Sequence, residues 1–321
     1  MQGSATSPRS TSIIVTHALD PDDAAATAAM RSLTSATKGA ARGIEARAPF
    51  DAVMESVLPR DEVWVEPAML GGISGIWVHP ANERPDEAIL HLHGGWFNFG
   101  TARAYRHLVG HIAARSGAKA FVPDYRLAPE HRFPAAIDDV LACYRGLAES
   151  GVRRIALTGD SAGGNLALSL ASRVTNHAVS SDATLVGVAV LSPITDLTLS
   201  GASYETRADA EPFFTRPQVE ALLHSYLQGA DAGDPLASPL FGPMAGLPPV
   251  RIHVGDDEIL LDDSLRYAGR AAAAGVDVQA DVWMGMPHGF PGSIGRLNAA
   301  APSLDAIGAF LTGRFKAIAD A

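Results

Sequence analysis

Cysteine is almost missing from this chain: Cys143 stands alone among 321 residues. No intramolecular disulfide is possible, so the fold is not a disulfide scaffold, and a reducing compartment suits it. No Cys/His cluster has the spacing of a metal site, and no internal repeat or heptad pattern is present. Basic residues are outnumbered, 25 Lys and Arg against 35 Asp and Glu, for a formal net charge of -10. Nucleic acid requires a basic footprint, and an anionic membrane surface attracts one, so neither is an expected partner. Uninterrupted apolar runs fall short of the roughly 20 residues that a membrane span needs. Met1 to Ser10 lack an apolar signal core, which leaves a soluble cytoplasmic protein as the expectation. What the chain does have is apolar material, 47% of its residues. That suffices for one large α/β domain and a small lid.

Strand and helix signals alternate, the pattern of a mostly parallel sheet with helices on both faces. After a polar tail, Asp20-Pro21-Asp22-Asp23 supplies an N-cap, a proline at the first helical position and early acids, so a helix starts there. Short strands at Glu62 to Glu66 and Gly75 to His79, joined through Gly71-Gly72, read as an antiparallel edge hairpin. The alternation then runs strand 87–92, helix 102–116, strand 118–123 and a helix from about 134, with Ile137, Val140, Leu141, Tyr144 and Leu147 on one stripe. After a strand from Thr184 to Leu191, residues 200–230 break the pattern; Val219, Leu222, Leu223, Tyr226 and Leu227 there have helical spacing. The pattern resumes with a strand at Val250 to Val254, a helix from Asp263, a strand at Val278 to Trp283 and a last helix near 302–318. This predicts an N-terminal cap segment over 1–60, a core in two parts over 61–199 and 231–321, and a second cap segment over 200–230.

The chemistry concentrates in Gly159-Asp160-Ser161-Ala162-Gly163, placed between the strand-like Arg154 to Thr158 and the helix-like Asn165 to Leu170. Strand, sharp turn and helix are the context in which G-x-S-x-G forms a nucleophile elbow, with flanking glycines relieving the crowding. Ser161 is the candidate nucleophile. A serine hydroxyl needs a base to take its proton and an acid to orient that base. His288, in Met286-Pro287-His288-Gly289-Phe290 just after a strand, is placed to be the base. The acid lies among Asp256, Asp257 and Glu258 at the end of the preceding strand, which completes the order serine, acid, histidine. Upstream, the buried strand Glu87 to Leu92 delivers His93-Gly94-Gly95-Trp96. Gly94 and Gly95 can aim backbone N–H groups at a developing oxyanion, and Ala162 supplies another donor.

Together, His93-Gly94-Gly95-Trp96, the run from Asp124 to Ala136 (DYRLAPEHRFPAA) and Gly159 to Gly164 resemble the bacterial hormone-sensitive-lipase family of esterases, from about residue 60 to the C-terminus. The resemblance implies the α/β-hydrolase fold with a helical cap and a carboxylesterase that needs no metal or organic cofactor. It selects Glu258 as the acid, by aligning Leu260-Leu261-Asp262 on the family's run, with Asp256 and Asp257 as competitors, and it reads Asp196 and the Asp124 to Pro134 segment as structural. One departure is Trp96, where the family usually carries a third glycine, which points to a differently shaped acyl pocket. Trp96, Phe97, Phe213 and Phe214 are the candidate substrate contacts.

The expected activity is hydrolysis of short to medium acyl esters, with lactones as a possible subclass, on a small-molecule substrate and in a chain that could self-associate. An amidase or deacetylase would use the same residues without any separate marker. A binding module on this fold, of the kind formed by plant hormone receptors that lose the histidine, is disfavoured because His288 is present.

Overall fold

Strands that are apolar on both faces must be covered on both sides. The computed structural model of the chain, which describes residues 13–40, 43–176 and 182–319, shows how this is done. The polar stretch Met1 to Ser10 lies outside the described residues. The chain opens with β1 (Ile14–His17), α1 (Pro21–Thr34) and α2 (Arg47–Glu55). The hairpin β2 (Val63–Leu70) and β3 (Ile73–Pro80) follows, then β4 (Glu87–Leu92), α3 (Ala102–Ser116), β5 (Lys119–Pro123) and α4 (Ala135–Glu149). Next come β6 (Arg154–Asp160), α5 (Ala162–Asn176), β7 (Thr184–Leu191), α6 (Ser203–Thr206) and α7 (Arg216–Leu227). The last elements are β8 (Val250–Gly255), α8 (Leu261–Ala273), β9 (Val278–Trp283) and α9 (Ala300–Ala319).

The nine strands among the described residues form one sheet in the order β1-β9-β8-β7-β6-β4-β5-β3-β2. Only the pairs β2–β3 and β3–β5 are antiparallel. Side chains alternate between two cores: Leu90, Leu157, Val188 and Val190 face the α4, α5 and α8 side. Ile89, Ala156, Ala189 and Leu191 face α3 and α9. The chain is therefore an α/β protein with a mostly parallel sheet, as its alternating pattern predicts. The α4 stripe from Ile137 to Leu147 and the α7 stripe from Val219 to Leu227 are both buried.

The sequence reading stops short at the hairpin, whose strands extend to Leu70 and from Ile73 around the left-handed Gly71 and Gly72. It also starts α8 and α9 two residues late. Its larger departure is at the N-terminus. Ile14–His17 is an edge strand of the sheet, parallel to β9 with Ile14 opposite Ala280. Four alternately exposed residues with a partner at the far end of the chain carry no local signal. His17 is fixed there by Asp281, 2.8 Å from its Nε2, and by stacking on Trp283 at 3.8 Å.

The segment up to residue 60 is thus of mixed attachment. β1 joins the sheet, and α2 packs on the core helix α3, with Glu55 bonded to Arg106 at 2.9 Å. The turn after α1 reaches the 200–230 insertion, through Lys38 Nζ to the Ala208 carbonyl (2.6 Å) and Gly39 N–H to the Phe213 carbonyl (3.0 Å).

Helix α1 begins as its residues dictate, with Asp20 accepting the Asp22 N–H at 2.8 Å and Pro21 at the first position. Asp23, only 2% exposed, reaches across the molecule and accepts the N–H groups of Asn298 (2.6 Å) and Ala299 (2.9 Å) at the entrance to α9. Removing that carboxylate leaves two amides without their acceptor. Asp23→Ala should therefore cost about 1–3 kcal/mol, read as a lowered denaturant midpoint at unchanged slope.

Candidate active site

In a parallel sheet, functional loops gather at the carboxyl ends of the strands. Here β4, β6, β7, β8 and β9 bring Gly94-Gly95, Ser161, Ser192, Glu258 and His288 to one edge. Ser161 occupies the single residue between β6 and α5 with φ +54°, a left-handed conformation that costs a non-glycine residue about 1–3 kcal/mol. The neighbouring glycines permit it. A Cβ on Gly159 would lie 2.4 Å from the Gly163 carbonyl oxygen, and one on Gly163 would lie 1.9 Å from that of Leu92. Hydrogen bonds pin the turn: Ser161 N–H donates to the Leu191 carbonyl (2.8 Å), while its own carbonyl accepts from Asn165 (3.1 Å) and Ile194 (3.3 Å).

His288 and Glu258 meet directly, with 2.7 Å between His288 Nδ1 and Glu258 Oε2. The other carboxylate oxygen accepts from Ser192 Oγ at 2.7 Å and from Gly255 N–H at 2.6 Å, and Glu258 is fully buried. A neutral imidazole held by a carboxylate at Nδ1 carries its proton there and leaves Nε2 bare. Burial opposes charge on His288, but the Glu258 hydrogen bond and charge, with Glu211 and Asp160 beyond, outweigh it and hold its pKa above the ordinary histidine value.

Neither competing acid reaches the ring in this arrangement. Asp256 accepts the Gly285 N–H, and Asp257 points outward to Arg31 of α1 at 2.9 Å. Asp196 is buried under Thr198, Ser200 and Arg266, the last at 2.9 Å. The Asp124 to Pro134 segment lies beneath the glycine loop, where Tyr125 Oη donates to the His93 carbonyl (2.7 Å) and Asp124 accepts the Ala102 N–H (2.7 Å).

The glycine loop departs from its predicted use. The Gly94 N–H is already engaged, donating to Asp160 Oδ1 at 3.0 Å, so it is not open to a substrate oxygen as the sequence suggests. A side chain could not fit there either, since a Cβ would lie 2.2 Å from Asp160 Oδ2. The next two peptides are held from their carbonyl sides. Gly94 O faces His93 Nδ1 (2.9 Å), and Gly95 O accepts from Asn98 N–H and Phe99 N–H, both at 2.9 Å. In a trans peptide the N–H points opposite to the C=O, so the Gly95 and Trp96 amides face away from these bonds. Among the described residues neither they nor the Ala162 amide has a protein acceptor.

Of the four aromatic candidates, one stands at the histidine and two pack on that one. The Phe214 ring lies edge-on to His288 at 5.2 Å and edge-on to Trp96 at 5.1 Å. Phe213 touches Phe214 at 6.2 Å. Phe97 is fully buried and stacked on Tyr226 of α7 at 3.9 Å, which joins the loop to the 200–230 insertion.

Three residues at this edge escape sequence reasoning. Ser192, left-handed at φ +44°, follows β7 and holds the second oxygen of Glu258. Asp160 binds the Gly94 amide and the Tyr105 hydroxyl (3.0 Å), and burial raises its pKa to about 6. Glu211 is 1% exposed, within electrostatic range of His288 and Glu258, and burial raises its pKa to about 7. For Ser192 the only signal is its place after a strand; for Glu211 there is none.

No group of three His, Cys, Asp or Glu among the described residues could hold a metal ion. No helix among them is long and apolar enough to cross a membrane.

A sequence profile of the α/β-hydrolase fold matches residues 89–292, more than half of the chain. An acetyl-hydrolase of Streptomyces hygroscopicus is 36% identical over 68% of this chain and 73% of its own length. An esterase of Acinetobacter venetianus is 35% identical over 71% of this chain and 75% of its own. Among solved structures, an esterase of the bacterial hormone-sensitive lipase family superposes with TM-score 0.84 at 33% identity, covering 93% of this chain and 99% of that one. The esterase structure EstE5, soaked with p-nitrophenyl butyrate, gives 0.82 at 31% identity over 93% of this chain and all of the other. The chain belongs to the α/β hydrolases and, within them, to the bacterial hormone-sensitive-lipase family of esterases. It is accordingly an enzyme of the serine-hydrolase class.

If Asp160 fixes the glycine loop through the Gly94 amide, Asp160→Ala should lower kcat on a short ester. A loss approaching that of one oxyanion donor, about 10²-fold, is expected. Steady-state kinetics on folded protein, verified by circular dichroism, checks this.

Proposed function

We propose that the protein hydrolyses short to medium acyl esters through a Ser161–His288–Glu258 triad and an acyl-enzyme. The observation that carries this is the 2.7 Å Glu258–His288 hydrogen bond at the same sheet edge as the strained Ser161 turn. In this reading His288 Nε2 takes the hydroxyl proton as Ser161 Oγ bonds to the ester carbonyl carbon. The carbonyl oxygen becomes an oxyanion facing the Ala162 and Gly95 amides, with the Trp96 amide next in line in place of Gly94. Collapse expels the alcohol, which receives the proton from His288. Water then repeats the sequence on the acyl-enzyme and releases the acid. Glu258 keeps the ring in the working tautomer and stabilises the imidazolium formed twice per turnover.

The acyl chain would lie against Phe214, which stands edge-on to His288, and Trp96, which packs on Phe214. Asn98 Nδ2 donates to the Trp96 carbonyl at 2.6 Å and to the Leu222 carbonyl of α7 at 3.1 Å, which ties this wall to the cap. We place the cap in the 200–230 insertion together with α1. A wall of large, pinned aromatics favours short acyl groups over long ones, which accords with the acetyl-hydrolase and butyrate-soaked relatives. A panel of p-nitrophenyl esters of increasing chain length, with lactones and anilides beside them, tests the substrate class.

Ser161→Ala should abolish hydrolysis while the melting temperature holds. Retention of more than a few per cent of turnover by pure protein would sink the triad.

The pH dependence follows from His288. The base must be neutral, and its pKa is raised, so kcat/KM should rise with pH through an apparent pKa above the ordinary histidine value. Glu258→Gln removes the charge that raises it, so the acid limb should move to lower pH while kcat falls, by as much as about 10⁴. An unmoved limb would show that Glu258 does not act on the base.

A further inference from the structure

We propose that Glu211, on the cap insertion, is a positioning residue that locks the loop carrying the catalytic acid; the proposal rests on the ester-hydrolase reading above. Ile259 directly follows Glu258, and both of its backbone polar groups are held by the cap. Its N–H donates to Glu211 Oε2 at 3.3 Å, and its carbonyl accepts from Ser203 Oγ at 2.5 Å. The same Ser203 hydroxyl accepts the Asp262 N–H at 3.1 Å, and the Asp262 carboxylate accepts the Ser203 N–H at 3.0 Å. The peptide beside the acid is therefore fixed from outside the core.

Glu211 has a second hold. Its Oε1 accepts the Phe213 N–H at 2.8 Å, and the Glu211 N–H donates to the Arg207 carbonyl at 2.9 Å. One buried carboxylate thus bridges the aromatic wall at 213–214 and the acid loop at 258–259. A buried carboxyl group is costly unless its oxygens are matched. Here they are matched by two backbone amides, and among the described residues no side chain supplies a compensating charge by direct hydrogen bond. Burial holds the group up to about 7, so near neutral pH it is partly protonated, which lessens repulsion toward Glu258.

Displacing Glu258 by a fraction of an ångström loosens the 2.7 Å bond that orients His288, whereas ground-state binding of the ester depends on the aromatic wall. A role in positioning the acid therefore predicts a loss in kcat. A role confined to the wall predicts a rise in KM that depends on acyl length.

The test is steady-state hydrolysis of p-nitrophenyl acetate, butyrate and octanoate by the wild type, Glu211→Ala and Glu211→Gln, each with verified fold. The Nδ1–H resonance of the His288–Glu258 pair is recorded by proton NMR on the same samples. Glu211→Ala should lower kcat about tenfold to a hundredfold on all three esters with KM changed little, and should shift or broaden the resonance. Glu211→Gln keeps the volume and one acceptor, so it should lie between the wild type and the alanine variant in both readouts. If only KM rises, and more for one chain length than another, or if kcat and the resonance stay as in the wild type, the proposal is overturned. A wild type that shows the resonance but no hydrolysis would count against the ester-hydrolase reading and leave the positioning role to be judged by NMR alone.

Discussion

The close approach of β4 to the crossing from β6 into α5 is the constraint on which the rest depends. Leu92 and His93 present their carbonyl oxygens 1.9 and 2.5 Å from where a Cβ on Gly163 would stand, so no larger residue fits. That contact lets the chain reverse in one residue and forces Ser161 into its left-handed conformation. It also sets the glycine loop, because His93 leads directly into Gly94 and Gly95. The same steric fact therefore lifts a hydroxyl above the sheet and brings a row of backbone amides beside the first N–H of α5, where a helix N-terminus already favours negative charge.

Around His288 the protein arranges three carboxyl groups, and their amide partners decide what each does. Glu258 alone bonds the ring. Asp160 is taken up by the Gly94 amide and Tyr105, and Glu211 by the Phe213 and Ile259 amides. All three act on the charge of the imidazole, which is why its pKa is raised in spite of burial. They do so from fixed positions, since every carboxylate oxygen has a partner. Burial raises Asp160 to about 6 and Glu211 to about 7, so the charge facing His288 changes with pH near neutrality.

Much of this was legible in the sequence because it is written in local signals. Glycines on both sides of a serine, a strand before it and a helix after it specify the elbow, and alternating apolar segments specify the sheet. The parts that escaped are set by distant neighbours. β1 pairs with β9 across nearly the whole chain, so its four residues show no period of their own. Gly94 reads as an oxyanion donor until Asp160, at the same end of the adjacent strand, is seen to occupy its amide. Phe97 reads as a pocket aromatic beside Trp96, yet a left-handed backbone at both residues turns the two rings to different places.

The choice among three consecutive acids makes the same point physically. Asp256, Asp257 and Glu258 have nearly the same sequence context, and strand-end position does not separate them. Their surroundings do. Asp256 faces the turn after β9 and takes the Gly285 amide, and Asp257 faces α1 and takes Arg31. Glu258 is left facing inward, where Ser192 and the Gly255 amide hold one oxygen and leave the other for His288. Its backbone direction is in turn fixed by Ile259, clamped to the 200–230 insertion by Ser203 and Glu211. Glu258 is thus oriented by elements on both sides of its loop, the core strands on one and the 200–230 insertion on the other. The aromatic pair Phe213–Phe214 and the Glu258–His288 hydrogen bond are consequently parts of a single hydrogen-bonded assembly.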